Sequence, residues 1–139
     1  MPVKLRLKLS RIDDKYNVEV IAYANSGFIA SEAQLLVPNY IVIEKLKLDE
    51  ICKPITITKY LADGSRTTLH CYKNSIYVEV ITEDGSSRKV LATVLSSSSR
   101  YVLISDYLLS ELGICIIDAR EGIWCFRDEL GKKFRASIL

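Results

Sequence analysis

The stretch that decides the fold is VIAYANSGFIASEAQLLVP, Val20–Pro38. Alternation through Val18, Val20 and Ala22 marks a half-buried strand over residues 16–24. The strand breaks at Asn25-Ser26-Gly27, and hydrophobic Phe28 and Ile29 follow at once. A simple turn accounts for Asn and Gly, because both tolerate the backbone conformations that turns need. A site in which the amide of Asn25 stands where a carboxylate would act accounts for them as well. Beyond the triplet the spacing predicts a loop and a short strand over Ala33–Val37. Pro38 then opens a short helix carrying Tyr40, Ile41, Glu44, Lys45 and Leu48.

The chain around this stretch has 139 residues, which suits one domain with its own core. A composition of 49% hydrophobic and 26% charged residues is that of a globular chain, not a disordered one. The net charge of +2 is too weak to argue for nucleic acid. No apolar run reaches the roughly 18–20 residues of a membrane span. MPVKLRLKLS alternates as a strand does, unlike a signal peptide. The expected setting is therefore soluble and cytoplasmic, with no membrane partner. Cys52, Cys71, Cys115 and Cys125 form no CxxC pair, and His70 is the only histidine. That argues against a zinc site and against nucleophilic triads. His70 is read as a strand residue near the surface, and the cysteines as reduced thiols.

The rest of the chain is punctuated by turns. Residues 3–9 alternate strictly, with Val3, Leu5, Leu7 and Leu9 on one face, and RIDDK turns the chain into the strand over 16–24. Strands at 55–61 and 66–72 flank ADGS, a strong hairpin signal. SIYVEVIT, residues 75–82, and RKVLATVL flank a second Asp-Gly turn, and Ser96–Ser99 reads as an exposed loop. YVLIS reads as a buried strand and DYLLSELG as a helix, with Asp106 as N-cap and Gly113 as its stop. ICIID-AREG-IWCF is a last hairpin, with Asp118 and Glu121 at its turn and Cys115 and Cys125 as cross-strand neighbours if the register is symmetric. Residues 127–139 read as a polar tail. The sum is all-β with two short helices, either a closed barrel or a folded-over sheet.

Two segments, taken in order, resemble the retropepsin-like aspartic peptidases, especially the small single-domain forms of archaea and bacteria. In that family a strand ends in Asp-Thr/Ser-Gly, followed by a loop and a Leu-Pro-led helix; here the residues are Asn25-Ser26-Gly27, then LLVP. Later come an apolar pair plus Gly, an x-Asp-x-Leu helix ending in Leu-Gly, and a hairpin with Asp and Gly at its turn. Here these are Val102-Leu103-Ile104-Ser105-Asp106-Tyr107-Leu108, Leu112-Gly113, Asp118 and Gly122. YLADGSRTTL, residues 60–69, falls where the family carries its flap. The resemblance spans residues 16–126. It implies one retropepsin-like domain over 1–139, with its core in 3–126, that pairs with a second copy and takes an extended peptide. The implied catalytic turn is Asn25, Ser26 and Gly27. The implied substrate-binding residues are Phe28, Ala62, Asp63, Gly64 and Ser65. No metal or cofactor is implied. Trp124 and Tyr107 are read as packing residues rather than substrate contacts.

Two departures carry weight. Asn25 stands in the place of the catalytic Asp, and Ile104 in the place of a glycine. In the family each subunit supplies one Asp, and the two share a proton because like charges so close cannot both ionise. One carboxylate then draws a proton from water while the other donates to the peptide carbonyl. An amide keeps the shape but cannot accept that proton. Three readings stay open: a natural pseudo-peptidase that binds peptide with little or no cleavage, a genuine endopeptidase silenced by an Asp-to-Asn change, and an unrelated β-barrel binding module. Ile104 favours the first over the second, since silencing an enzyme does not require changing that position too. For the third, Lys4, Arg6 and Lys8 on one strand face and eight tyrosines would suit nucleic acid, but no aromatic–basic motif recurs.

Overall fold

The computed structural model of the chain describes residues 3–24, 27–60 and 63–138. Strict alternation at the start becomes strand β1 (Lys4–Arg11), whose Leu5, Leu7 and Leu9 are fully buried. It pairs antiparallel with β2 (Asn17–Tyr23), with Leu5 opposite Ala22 and Leu9 opposite Val18. The chain returns as β3 (Gln34–Pro38), then leaves the sheet through a π-helical turn, Ile41–Lys45, and a 3-10 turn, Leu48–Glu50. Strands β4 (Ile55–Tyr60), β5 (Arg66–Thr82), β6 (Gly85–Ser86), β7 (Val90–Ser97) and β8 (Val102–Ile104) follow. Helix α1 (Asp106–Glu111) leads to β9 (Ile114–Asp118) and β10 (Ile123–Phe126), and β11 (Arg135–Ala136) lies near the end.

The strands β1-β2-β8-β3-β7-β5 are neighbours in that order, and β5 also pairs with β1, which closes a six-stranded barrel. Two of its contacts, β2–β8 and β3–β7, are parallel. The closed circuit surrounds a core that includes Leu7, Leu35, Val78, Val94 and Ile104. Fully burying side chains of this kind stabilises a fold by about 1.5–3 kcal/mol each. Strand β4 lies outside the circuit, on the free edge of β5, and β9, β10 and β11 form a separate three-stranded sheet.

Several local expectations need correction. The strands expected at 66–72 and 75–82 are one strand, β5. It bends where the β5–β7 register slips between Tyr72 and Ile76. There Asn74 takes a left-handed φ of 46° and its N–H is held by Thr93 Oγ1 at 3.0 Å. Pro38 does not open a helix but ends β3. β8 pairs only as far as Leu36, so the missing N–H of Pro38 falls beyond that ladder. The expected helix after it is the π turn, with Leu46 N donating to the Ile41 carbonyl. Ser96 and Ser97, expected in an exposed loop, are buried in β7. Arg11, in the charged segment RIDDK, is buried with its guanidinium on Asp13, Glu50 and the Lys47 carbonyl. The polar tail docks instead of trailing. β11 pairs with β10, and Ile138 N donates to the Lys4 carbonyl. Trp124 packs in the core as expected, Tyr107 is exposed, and His70 is an exposed strand residue. Among the described residues no helix is long and apolar enough to cross a membrane.

Candidate functional site

Strands that bury both faces show consecutive apolar residues rather than alternation. Leu35-Leu36, Val94-Leu95 and Leu103-Ile104 have this pattern. Leu35, Val94 and Ile104 point into the barrel. Leu36, Leu95 and Leu103 point outward, and register lines them up: Leu103 opposite Leu36, Leu36 beside Leu95, Leu95 opposite Cys71. This row across β8, β3, β7 and β5 forms an apolar floor on the outer surface. Leu69, Cys71 and Leu95 form its buried centre, against which Phe28, Leu36 and Ile57 pack.

The segment after the Asn25-Ser26 pair walls this floor. Its position is set from α1. The Asp106 N–H donates to the Phe28 carbonyl at 2.9 Å, and Asp106 Oδ1 accepts from Ala30 N at 3.1 Å. Asp106 is therefore not the helix cap expected from the sequence. Ser105 caps α1, its Oγ accepting from Leu108 N at 3.1 Å, and the same oxygen accepts from Gln34 N at 3.1 Å. A buried serine oxygen thus serves the helix start and the loop return together. The β4–β5 hairpin stands over the opposite side, where Lys59 Nζ lies 5.2 Å from the centre of the Phe28 ring. The open cavity between hairpin, loop and floor is about 680 Å³.

Of the residues singled out in the sequence, Gly27 and Phe28 line this cavity. Asn25, Ser26 and Ala62 lie outside the described residues. Asp63, Gly64 and Ser65 form the exposed hairpin tip and do not line the cavity. There Asp63 Oδ1 accepts from both the N–H and the hydroxyl of Ser65, at 2.9 and 2.6 Å. These bonds, the hydroxyl's first, hold the Asp63 carboxyl below the usual carboxylate range. Ile104, which raised the question of a blocked groove, is buried in the core and its neighbour Leu103 lines the cavity instead. The sequence reading missed Leu36, Lys59, Tyr60, Leu69, Leu95 and Leu103 as lining residues. The doubled apolar pairs were the signal that could have found Leu36, Leu95 and Leu103.

Lys59 and Tyr60 are the titratable side chains of the described lining. The Cys71 thiol in the floor is pushed up by burial and by Glu32. Among the described residues no three His, Cys, Asp or Glu side chains are grouped to hold a metal ion. The chain matches no protein-family model, and no curated protein matches its sequence.

Proposed function

We propose that the protein is a retropepsin-like domain that captures an extended peptide beneath the β4–β5 hairpin and, with Asn25 in place of the catalytic Asp, cleaves it little or not at all. The observation that carries this reading is the cavity of about 680 Å³ whose wall begins at Gly27, directly after the Asn25-Ser26 pair, and whose roof is the hairpin. Three features support it. The floor is apolar and continuous across four strands, which suits alternate side chains of an extended chain. Among the described residues strand β4 pairs only with β5, so backbone groups on its other edge are available for strand addition. The loop that follows the triplet is pinned to α1 through Asp106 and Ser105, which holds the wall in place.

The active form on this reading is a homodimer, because one chain holds one such turn and dyad chemistry needs two. Asn25 leaves the groove its shape without the base. General-base loss alone costs roughly 10²–10⁴-fold in rate, and loss of both carboxylates costs more. Removing them also relieves like-charge repulsion at the dimer axis.

The test compares the protein with Asn25→Asp. Both are assayed between about pH 3 and 7 for cleavage of a mixed-peptide substrate, and for binding of a transition-state-analogue inhibitor of aspartic peptidases. The expected result is a dimer that binds without cutting, and an Asn25→Asp form that cuts with an acid-leaning profile and is stopped by the inhibitor. A folded monomer that binds no peptide, with an Asn25→Asp form equally inert, would overturn the proposal.

A further inference from the structure

Two thiols lie in the β9–β10 hairpin, apart from the groove. Cys115 and Cys125 are direct register partners on these antiparallel strands, so their side chains leave the same face of the sheet. Arg127 N donates to the Gly113 carbonyl at 2.7 Å in the same ladder. Hydrogen-bonded and non-hydrogen-bonded pairs alternate along such a ladder, so Cys115 and Cys125, two positions on, are again a hydrogen-bonded pair. Cα atoms in such pairs are about 5.5 Å apart, inside the roughly 4.4–6.8 Å that a disulfide spans. Their Cβ atoms lie toward the wider end of about 4.5–5.5 Å, beyond the ~3.8 Å of a relaxed disulfide. The bond can close, but only by drawing the strands together, and strained disulfides are the easily reduced ones.

Exposure divides the roles. Cys115 is half-buried and reachable, whereas Cys125 is fully buried. Both are free thiols in the structure.

We propose that Cys115 and Cys125 form a reversible thiol–disulfide modification site whose co-reactant is a small organic disulfide such as oxidised glutathione. The Cys115 thiolate attacks one sulfur of the disulfide. The Cys115–glutathione bond forms, the original S–S bond breaks, and one glutathione thiolate leaves. Cys125, after giving its proton to solvent, attacks the Cys115 sulfur and expels the second glutathione thiolate. The protein dithiol is oxidised by two electrons and the glutathione disulfide is reduced to two thiols. The new link ties β9 to β10, the strand on which β11 and the C-terminal segment dock.

The full-length protein, kept folded, is treated with oxidised glutathione. Remaining thiols are then alkylated and the protein is digested with trypsin. Cleavage after Arg120 separates the two cysteines, so a disulfide between them appears as two peptides joined through sulfur. The expected product is that joined pair, returned to free peptides by excess reduced glutathione. Cys125→Ser is expected to stop at the glutathione adduct on Cys115, and Cys115→Ser to leave Cys125 unmodified. The wild-type map decides the matter even if either variant fails to fold. A folded wild type that keeps both thiols alkylatable, or that accumulates glutathione on Cys115 without the joined pair, overturns the proposal.

Discussion

Leu103 and Ile104 are neighbours in sequence and opposites in role, because successive strand residues face opposite sides of a sheet. Ile104 fills the barrel, so Ile104→Ala should cost about 2–5 kcal/mol in urea unfolding and leave peptide binding by the folded fraction unchanged. Leu103 lines the groove, and Leu103→Ala should cost less stability but weaken peptide binding by roughly tenfold or more, given the one to three kcal/mol that a buried apolar contact supplies. Equal effects of the two on binding would argue against the groove. Arg11 supplies a pH prediction. Its guanidinium bonds to the Asp13 carboxylate through Nε and Nη2, at 2.8 and 2.7 Å. These bonds lower the Asp13 pKa from 3.8 to about 2. A carboxyl held low in the folded state contributes stability that is present above its unfolded pKa of roughly 3.9 and is lost as pH falls through the folded value. Asp13→Asn should therefore flatten the fall in stability between about pH 4 and pH 2, measured by urea titrations at each pH. Superimposable slopes would show that this pair contributes nothing.

At the scale of elements, the short helix α1 acts as an anchor for the groove wall. Ser105→Ala removes the cap and the bond to Gln34 N together, and should cost about 1–2 kcal/mol. Amide exchange of Ala30 and of Gln34, which donate to Asp106 and Ser105, should quicken with it, while exchange in β1 stays slow. A uniform change across the molecule would instead mean that Ser105 is only a helix cap. The tail has a comparable dependence on one position. Gly122 has a φ of 73°, and a Cβ built there would lie 2.7 Å from Ser137 Cβ. Gly122→Ala combines backbone strain with that clash and should cost more than about 1 kcal/mol. Proteolysis in the segment 127–138 should become faster, because Ser137 N donates to the Gly122 carbonyl when the tail is docked. The ion pairs of Arg135 with Asp84 and Glu129 close the same contact.

At the scale of the whole molecule, the closed circuit separates a stable body from an appended ribbon. β1 and the Ile76–Val80 half of β5 complete the barrel wall, whereas β4 and the Arg66–Leu69 part of β5 lie beyond the pairing of β5 with β7, which begins at His70. Backbone with few buried contacts opens locally at low free energy. Amides of β4 and of residues 66–69 should accordingly exchange faster than those of β1 and Val78–Val80, and a bound peptide should slow the ribbon selectively. Protection that is equal throughout would argue against the proposed capture of peptide beneath the hairpin.

Much of the architecture was legible in the residues themselves. Period-two alternation marks β1 and β2, and Asp-Gly turns mark the reversals after β4 and β5, because these patterns arise from backbone geometry and local burial alone. The register of the last hairpin, with Cys115 opposite Cys125, was legible for the same reason. Closure of the barrel was not, since the pairing of β1 with β5 joins residues far apart in sequence and no local pattern encodes it. The bend that keeps β5 one strand, the docking of the polar tail, and the choice of Ser105 over Asp106 as cap all depend on partners brought from elsewhere in the chain. So does the groove. The sequence determined that a strand runs through Val18, Val20 and Ala22, and it carries the apolar pairs of three later strands. Only the tertiary structure decided which member of each pair faces the core and which lies beside Gly27, because a strand's two faces become distinct only when its neighbours cover one of them.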